Sequence, residues 1–223
     1  MGNRPTVAID PDGGDIIILT DSKAVARMGH GAVLIGNDKD GWRYLSMNGT
    51  SADGEGGGSA YGDSVYPDLG NYKQRDNEYI VNDFRGTGMT AEQVMVAVNK
   101  SNKKHTHHYD KYIRITTSVT EDNLAFDAAK DQASHKKYGI FGVSCIDVPQ
   151  ETLARVFAHR KGKESLSWYE ETRYGFDLLL PNAWRSYLLT GLLKSINTSI
   201  FKSTGSKNDF KYTEGRIVSP RHF

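Results

Sequence analysis

The chain has 223 residues, 38% apolar and 25% charged, with a formal net charge of +1. That balance describes one globular domain rather than a disordered chain, and it offers no basic footprint for nucleic acid. No apolar run reaches the length of a membrane span. The start of the chain lacks the charged-then-apolar pattern of a secretory signal, so export would need another route.

In chain order, "DIIIL" (15–19) is a short β-branched strand. "GAVLIG" (31–36) and "WRYLSMN" (42–48), joined by the turn "NDKDG", read as a β-hairpin. "GTSADGEGGGSAYGDS" (49–64) is a glycine-rich loop that does not follow a strand and open a helix, so it is not a phosphate cradle. "MTAEQVMVAVNKSN" (89–102) is an amphipathic helix, with Thr90 as N-cap and Gln93 completing a capping box. "YDKYIRITTS" (109–118) is a strand. Residues 120–135 form a second helix, with Thr120 as cap and Glu121 and Asp122 suiting its positive start. "IDVPQETLARVFAHR" is a third helix, and residues 180–196 are a fourth with Pro181 near its start. The tail after Thr198 is polar and loop-like. A small antiparallel sheet with about four separate helices makes the fold α+β.

Cys145, the one cysteine, precludes an internal disulfide. It falls just before or within the first turn of the third helix, where Ser144 or Asp147 could cap; with Asp147 as cap, Gln150 stands three residues on and Pro149 lies inside the first turn. Unpaired amides at a helix start favour thiolate, which suits a nucleophile. A thiol nucleophile needs a base, and His30, between Gly29 and Gly31 at the mouth of a strand, is the best placed histidine. It should face Cys145 across a cleft. On the next strand Tyr44, Ser46 and Asn48 share a face, and Ser46 or Asn48 could accept from the imidazole N–H. His105, His107 and His108 lie in a polar stretch that no cysteine or carboxylate completes into a zinc site. Asp10, Asp12, Asp15 and Asp21 do not make a calcium loop, because Asp21 stands where a bidentate glutamate belongs. Neither a metal nor a cofactor is expected.

"GHGAVLIG" and "GWRYLS", followed much later by "YGIFGVSCIDV", resemble the circularly permuted papain-like cysteine hydrolases related to NlpC-type cell-wall peptidases. The resemblance covers roughly residues 28 to 160. It implies a permuted papain-like fold with His30 as base, Ser46 or Asn48 as orienting residue and Cys145 as nucleophile. Two positions depart from the pattern: Ser144 stands where asparagine is common, and Ser46 where a stronger acceptor is common.

A second resemblance lies at the start. "NRPTVAIDPDGG" looks like the junction that ends the core of Rhs/YD-repeat proteins, where a variable toxin domain begins. It implies a junction remnant at 1–14, a hydrolase domain at 15–198 and a polar tail at 199–223. It further implies a parent Rhs core, a cognate immunity protein, and type VI-like delivery without a signal peptide to the periplasm or cytoplasm of a target cell.

By family analogy the substrate is an amide or peptide bond in peptidoglycan. The alternatives are a lipid ester or thioester acyl substrate, with the apolar "AWRSYLLTGLLKSI" walling a pocket, and a non-catalytic binding or adaptor domain that retains the fold. A nuclease is disfavoured by the near-neutral charge and the lack of a clustered acidic or histidine metal motif.

Overall fold

A computed structural model describes residues 14–27, 29–48, 78–101, 108–135, 145–167, 170–171, 181–189 and 211–217. Residues 1–13 of the proposed junction (1–14), the glycine-rich loop (49–64), and His105 and His107 lie outside them, while Gly14 begins the first strand.

The strands are β1 (Gly14–Asp21), β2 (His30–Asn37), β3 (Gly41–Asn48), β4 (Glu78–Asp83), β5 (Lys111–Thr117) and β6 (Tyr212–Arg216). The helices are α1 (Ala24–Arg27), α2 (Ala91–Ser101), α3 (Val119–His135), α4 (Asp147–Arg160) and α5 (Pro181–Tyr187). The fold is α+β. One six-stranded sheet runs β4-β3-β2-β1-β5-β6 with every neighbouring pair antiparallel. No helix among the described residues is long and apolar enough to cross a membrane.

The central strand β1 is buried along its whole length, as its unbroken β-branched run requires when both sheet faces are covered. Alternation splits its side chains. Ile16 and Ile18 join Val33, Ile35, Leu45, Ile113 and Ile115 beneath α3, α4 and α5. Ile17 and Leu19 join Ala32, Leu34, Trp42 and Tyr44 beneath α2. Trp184 and Leu188 belong to the first of these cores. The described part of the fourth predicted helix is therefore core rather than the wall of a lipid pocket.

The predicted hairpin is present as β2–β3, with Ala32 opposite Ser46 and Leu34 opposite Tyr44. The Thr90–Gln93 capping box closes in both directions: the Thr90 N–H donates to Gln93 Oε1 at 2.9 Å, and the Gln93 N–H to Thr90 Oγ1 at 3.4 Å.

Other expectations need correction. Helix α3 is capped by Ser118, not Thr120; the Glu121 N–H donates to Ser118 Oγ at 3.3 Å and the Ser118 N–H to Glu121 Oε2 at 2.8 Å. Ser118 precedes the helix, whereas Thr120 already lies within it. Asp147 does not cap α4. The N-cap is Ile146, with helical dihedrals and no side-chain cap, and Asp147 is the first helical residue. The C-terminal segment is not wholly loop: Tyr212–Arg216 pairs with β5 as an edge strand, exposed enough that its polar composition hid it. Strand β4 and the single turn α1 were also unforeseen.

Candidate functional site

The candidate residues gather where β2 begins. Gly29 ends the α1 turn in a left-handed conformation, with φ of +100° and its N–H donating to Ala24 O at 3.0 Å. The chain then enters β2 at His30, whose cross-strand partner on β1 is Asp21. Alternation puts His30 on the α2 side with Ala32 and Leu34, and Gly31 on the α4 side with Val33.

His30 is buried, and its Nε2 lies 3.1 Å from Ser46 Oγ. Of the two acceptors left open by the sequence, the structure brings Ser46 to the imidazole. Asn48 ends β3 opposite Glu78, and its side chain lies outside the described ones. Asp21, though beside His30, uses its carboxylate on backbone: Oδ1 accepts from the N–H groups of Lys23 (2.9 Å) and Ala24 (3.1 Å), and Oδ2 from the N–H of His108 (2.7 Å). That arrangement pins the turn into α1. His108 is exposed.

Cys145 immediately precedes the N-cap of α4 and is also buried. The Gly31 and Cys145 backbone amides both favour the charged sulfur. The start of α4 seats over Gly31. A Cβ at that position would stand 3.5 Å from Cys145 O, Ile146 Cδ1 and Pro149 Cγ. Gly31 follows His30 directly, so the start of α4 lies beside the His30 backbone, while the imidazole projects to the α2 face of β2. This differs from the expected face-to-face arrangement across a cleft, since both groups are buried.

Burial works against an activated thiolate. It pushes the Cys145 thiol up to about 11, with the Asp147 carboxylate adding to the rise and the two amide donors opposing it. Desolvation outweighs the start of an uncapped helix.

Two tyrosines complete the cluster, and only one was visible in the sequence. Tyr44 shares the β3 face with Ser46. Tyr109, read only as the start of a strand, packs its ring 5.9 Å from the His30 ring, centroid to centroid. Its hydroxyl lies 2.8 Å from that of Tyr44. Asn99 of α2 clamps the Tyr109 backbone on both sides: Nδ2 donates to Tyr109 O at 2.8 Å and Oδ1 accepts from its N–H at 3.0 Å. Burial raises both phenols, Tyr44 to about 12, and the Ser46 hydroxyl acts on both in the opposite sense. The signal that could have found Tyr109 was the Asn99–Tyr109 spacing across a helix-to-strand connection, which sequence periodicity does not weigh.

No group of three or more His, Cys, Asp or Glu side chains among the described residues could hold a metal ion. Set against protein-family models, curated proteins and solved structures, the chain matches none of them.

Proposed function

We propose that this chain is a cysteine hydrolase of permuted papain-like type that cleaves amide or peptide bonds through an acyl-thioester. The observation that supports it is the seating of the Cys145 end of α4 over Gly31, the residue after His30, with the imidazole tied to Ser46 through Nε2. In this reading Nε2 is held by Ser46 and Nδ1 serves as the base. A thiol held protonated by burial calls for proton transfer in step with attack rather than a standing ion pair. His30 takes the thiol proton as the sulfur bonds to the substrate carbonyl carbon. The imidazolium then gives that proton to the departing amine as the C–N bond breaks. Water, deprotonated by the same imidazole, attacks the thioester carbonyl, releasing the acid and restoring the thiol. The Cys145 N–H at the helix start is placed to steady the oxyanion.

The substrate class we favour is peptidoglycan, with the domain acting as the toxic tip of an Rhs-type effector. It would be delivered by a type VI-like route to the target periplasm or cytoplasm and neutralised by a cognate immunity protein. Wild type and Cys145→Ala are expressed in the cytoplasm and, with an added signal peptide, in the periplasm of a Gram-negative host. Toxicity confined to the periplasm, lost in the variant and accompanied by altered muropeptides is the expected result. Equal toxicity of the two proteins would remove the nucleophile.

One observation favours a second reading, a non-catalytic domain that retains the fold: Cys145 and His30 are both buried and the thiol is protonated. Under that reading His30→Ala leaves the rate of Cys145 alkylation by iodoacetamide unchanged. Under the hydrolase reading it lowers that rate.

A further inference from the structure

Strand β6 ends the order of strands in the sheet. Its pairing with β5 fixes which of its backbone groups look outward. The Thr116 N–H donates to Lys211 O at 3.0 Å, and the Ile217 N–H to Asp110 O at 3.1 Å. In an antiparallel ladder alternate residues turn their N–H and C=O groups to the same neighbour. Lys211, Thr213, Gly215 and Ile217 therefore face β5, and Tyr212, Glu214 and Arg216 turn theirs away from the sheet. Among the described residues no strand pairs with that outer edge. The side chains are equally uncovered: Tyr212 is 41% exposed, and Glu214 and Arg216 are exposed.

Natural edges of this kind are blunted by proline, by a bulge or by lysine. Strand β6 has no proline, and its register with β5 runs unbroken from Tyr212 to Arg216. Its charges are of both signs. Glu214 and Arg216 stand two residues apart, on one face of the strand. Arg216 lies directly opposite Lys111, a like-charge pairing that costs stability. It has no acidic partner among the described residues. Glu214 accepts from Arg185 Nη2 at 3.0 Å, yet its side chain is 56% exposed, so its carboxylate can accept further bonds.

We propose that β6 is a self-association edge: two copies of this chain join their β6 strands antiparallel about a two-fold axis at Gly215, which continues the sheet across the pair. Charge selects the register. Centring on Glu214 would set two carboxylates opposite each other. Centring on Thr213 would set Glu214 opposite Tyr212 and leave Arg216 without a carboxylate. Centring on Gly215 sets Glu214 opposite Arg216 of the second copy, and symmetry repeats the pair. Each such pair exchanges both of its backbone bonds. Gly215 brings no side chain to the axis, and the Tyr112 ring fills the space that a Cβ there would take. One short strand buries less than the roughly 1,200 Å² at which standard interfaces begin, so the dimer forms only at high concentration. This edge is separate from the site of the hydrolase reading and does not depend on it.

Sedimentation velocity on the full chain, from about 10 μM to about 1 mM, should show the wild type passing from monomer toward dimer. Glu214→Arg and Arg216→Glu should each weaken self-association by about tenfold or more, because each sets like charges opposite one another. Mixed together, the two variants should associate again, since each offers the sign that the other lacks. The double reversal Glu214→Arg/Arg216→Glu should return to within about threefold of wild type. Urea midpoints near that of the wild type confirm that the exposed substitutions leave the fold intact. If Glu214→Arg fails to fold through loss of the Arg185 bond, Arg216→Glu carries the test alone. A wild type that stays monomeric to about 1 mM overturns the proposal and leaves the edge to an extended segment of another protein. A dimer indifferent to both reversals overturns it as well, because the copies then meet elsewhere.

Discussion

Gly31 faces Cys145, whose carbonyl oxygen lies 3.5 Å from where a Gly31 Cβ would stand, so the residue that follows the candidate base in the chain is also the one on which the candidate nucleophile is seated. The contact depends on how closely the start of α4 approaches β2. A methyl at position 31 would meet its neighbours at 3.5 Å, ordinary van der Waals distance, and Gly31 has no left-handed backbone. Gly31→Ala should therefore stay within about 1 kcal/mol of wild-type stability. Gly31→Leu should lift Ile146 and Pro149 from the strand at a cost of about 1–3 kcal/mol and change the alkylation rate of Cys145. Urea denaturation and iodoacetamide kinetics on the two variants check this; an equal cost for both would show that the site has no tight seat.

The thiol should behave as one raised by burial. Iodoacetamide alkylation should climb with pH without levelling off below about pH 10, given a thiol pushed up to about 11. The folded pKa lies above the free value of about 8.5. The neutral thiol thus contributes stability that is complete below pH 8.5 and is lost as pH rises through 11. Cys145→Ala should flatten the alkaline fall in stability. A plateau near pH 7 would instead mark an activated thiolate.

Asp122 should give the opposite end of the sheet a pH dependence near neutrality. Its carboxyl accepts from Thr117 Oγ1 at 2.5 Å and packs directly on Gly14, where any Cβ would collide with it. Burial pushes it up to about 7, with Asp15 and Glu121 adding to the rise and Thr117 and Arg43 opposing it. Its protonated form contributes stability that is complete below the unfolded pKa of about 3.9 and is lost as pH rises through 7. Asp122→Asn should then gain on the wild type by on the order of 1–3 kcal/mol between pH 5 and pH 8. Urea unfolding of both proteins at the two pH values measures the gain. A constant difference would show that Asp122 is ionised throughout.

Glu121 illustrates the reverse balance. Burial alone would raise it, but the Arg160 guanidinium more than offsets that and holds it low. Arg160 Nε and Nη2 donate to its two oxygens at 2.5 and 2.9 Å, and Nη2 also donates to Thr116 O at 3.0 Å. Both side chains are at most 10% exposed. Glu121→Ala should cost about 3–5 kcal/mol, because it strands a buried guanidinium. Replacing both partners with apolar residues should cost less. Chemical denaturation of the single and double variants separates the two.

Local chemistry was readable from the sequence wherever neighbours in the chain decide the structure. The β2–β3 hairpin and the Thr90–Gln93 box needed no distant partner. Ser118 and Glu121 carry the same S-x-x-E spacing as a capping box, and reading Thr120 as the cap overlooked it. Strand β6 was unreadable because its residues are exposed edge and carry no apolar alternation. The candidate site was readable in its polar residues, His30, Ser46 and Cys145, but not in its electrostatics. Whether a helix start or burial controls a thiol depends on how deep it lies, and depth is a property of the whole fold. Tyr109 was lost for a related reason: its place is set by Asn99 of α2, from another element.

Helix α4 is held at both ends. At its start, Cys145 rests on Gly31; at its end, Arg160 is clamped to Glu121 of α3. Its 14 residues span about 21 Å at the rise of an α-helix. It is a stiff rod with its far end bolted to α3, and the sulfur is carried at the end seated on Gly31. The thiol and the Arg160–Glu121 ion pair thus stand at the two ends of one rod, so the same element fixes the seat of the nucleophile on β2 and the docking onto α3.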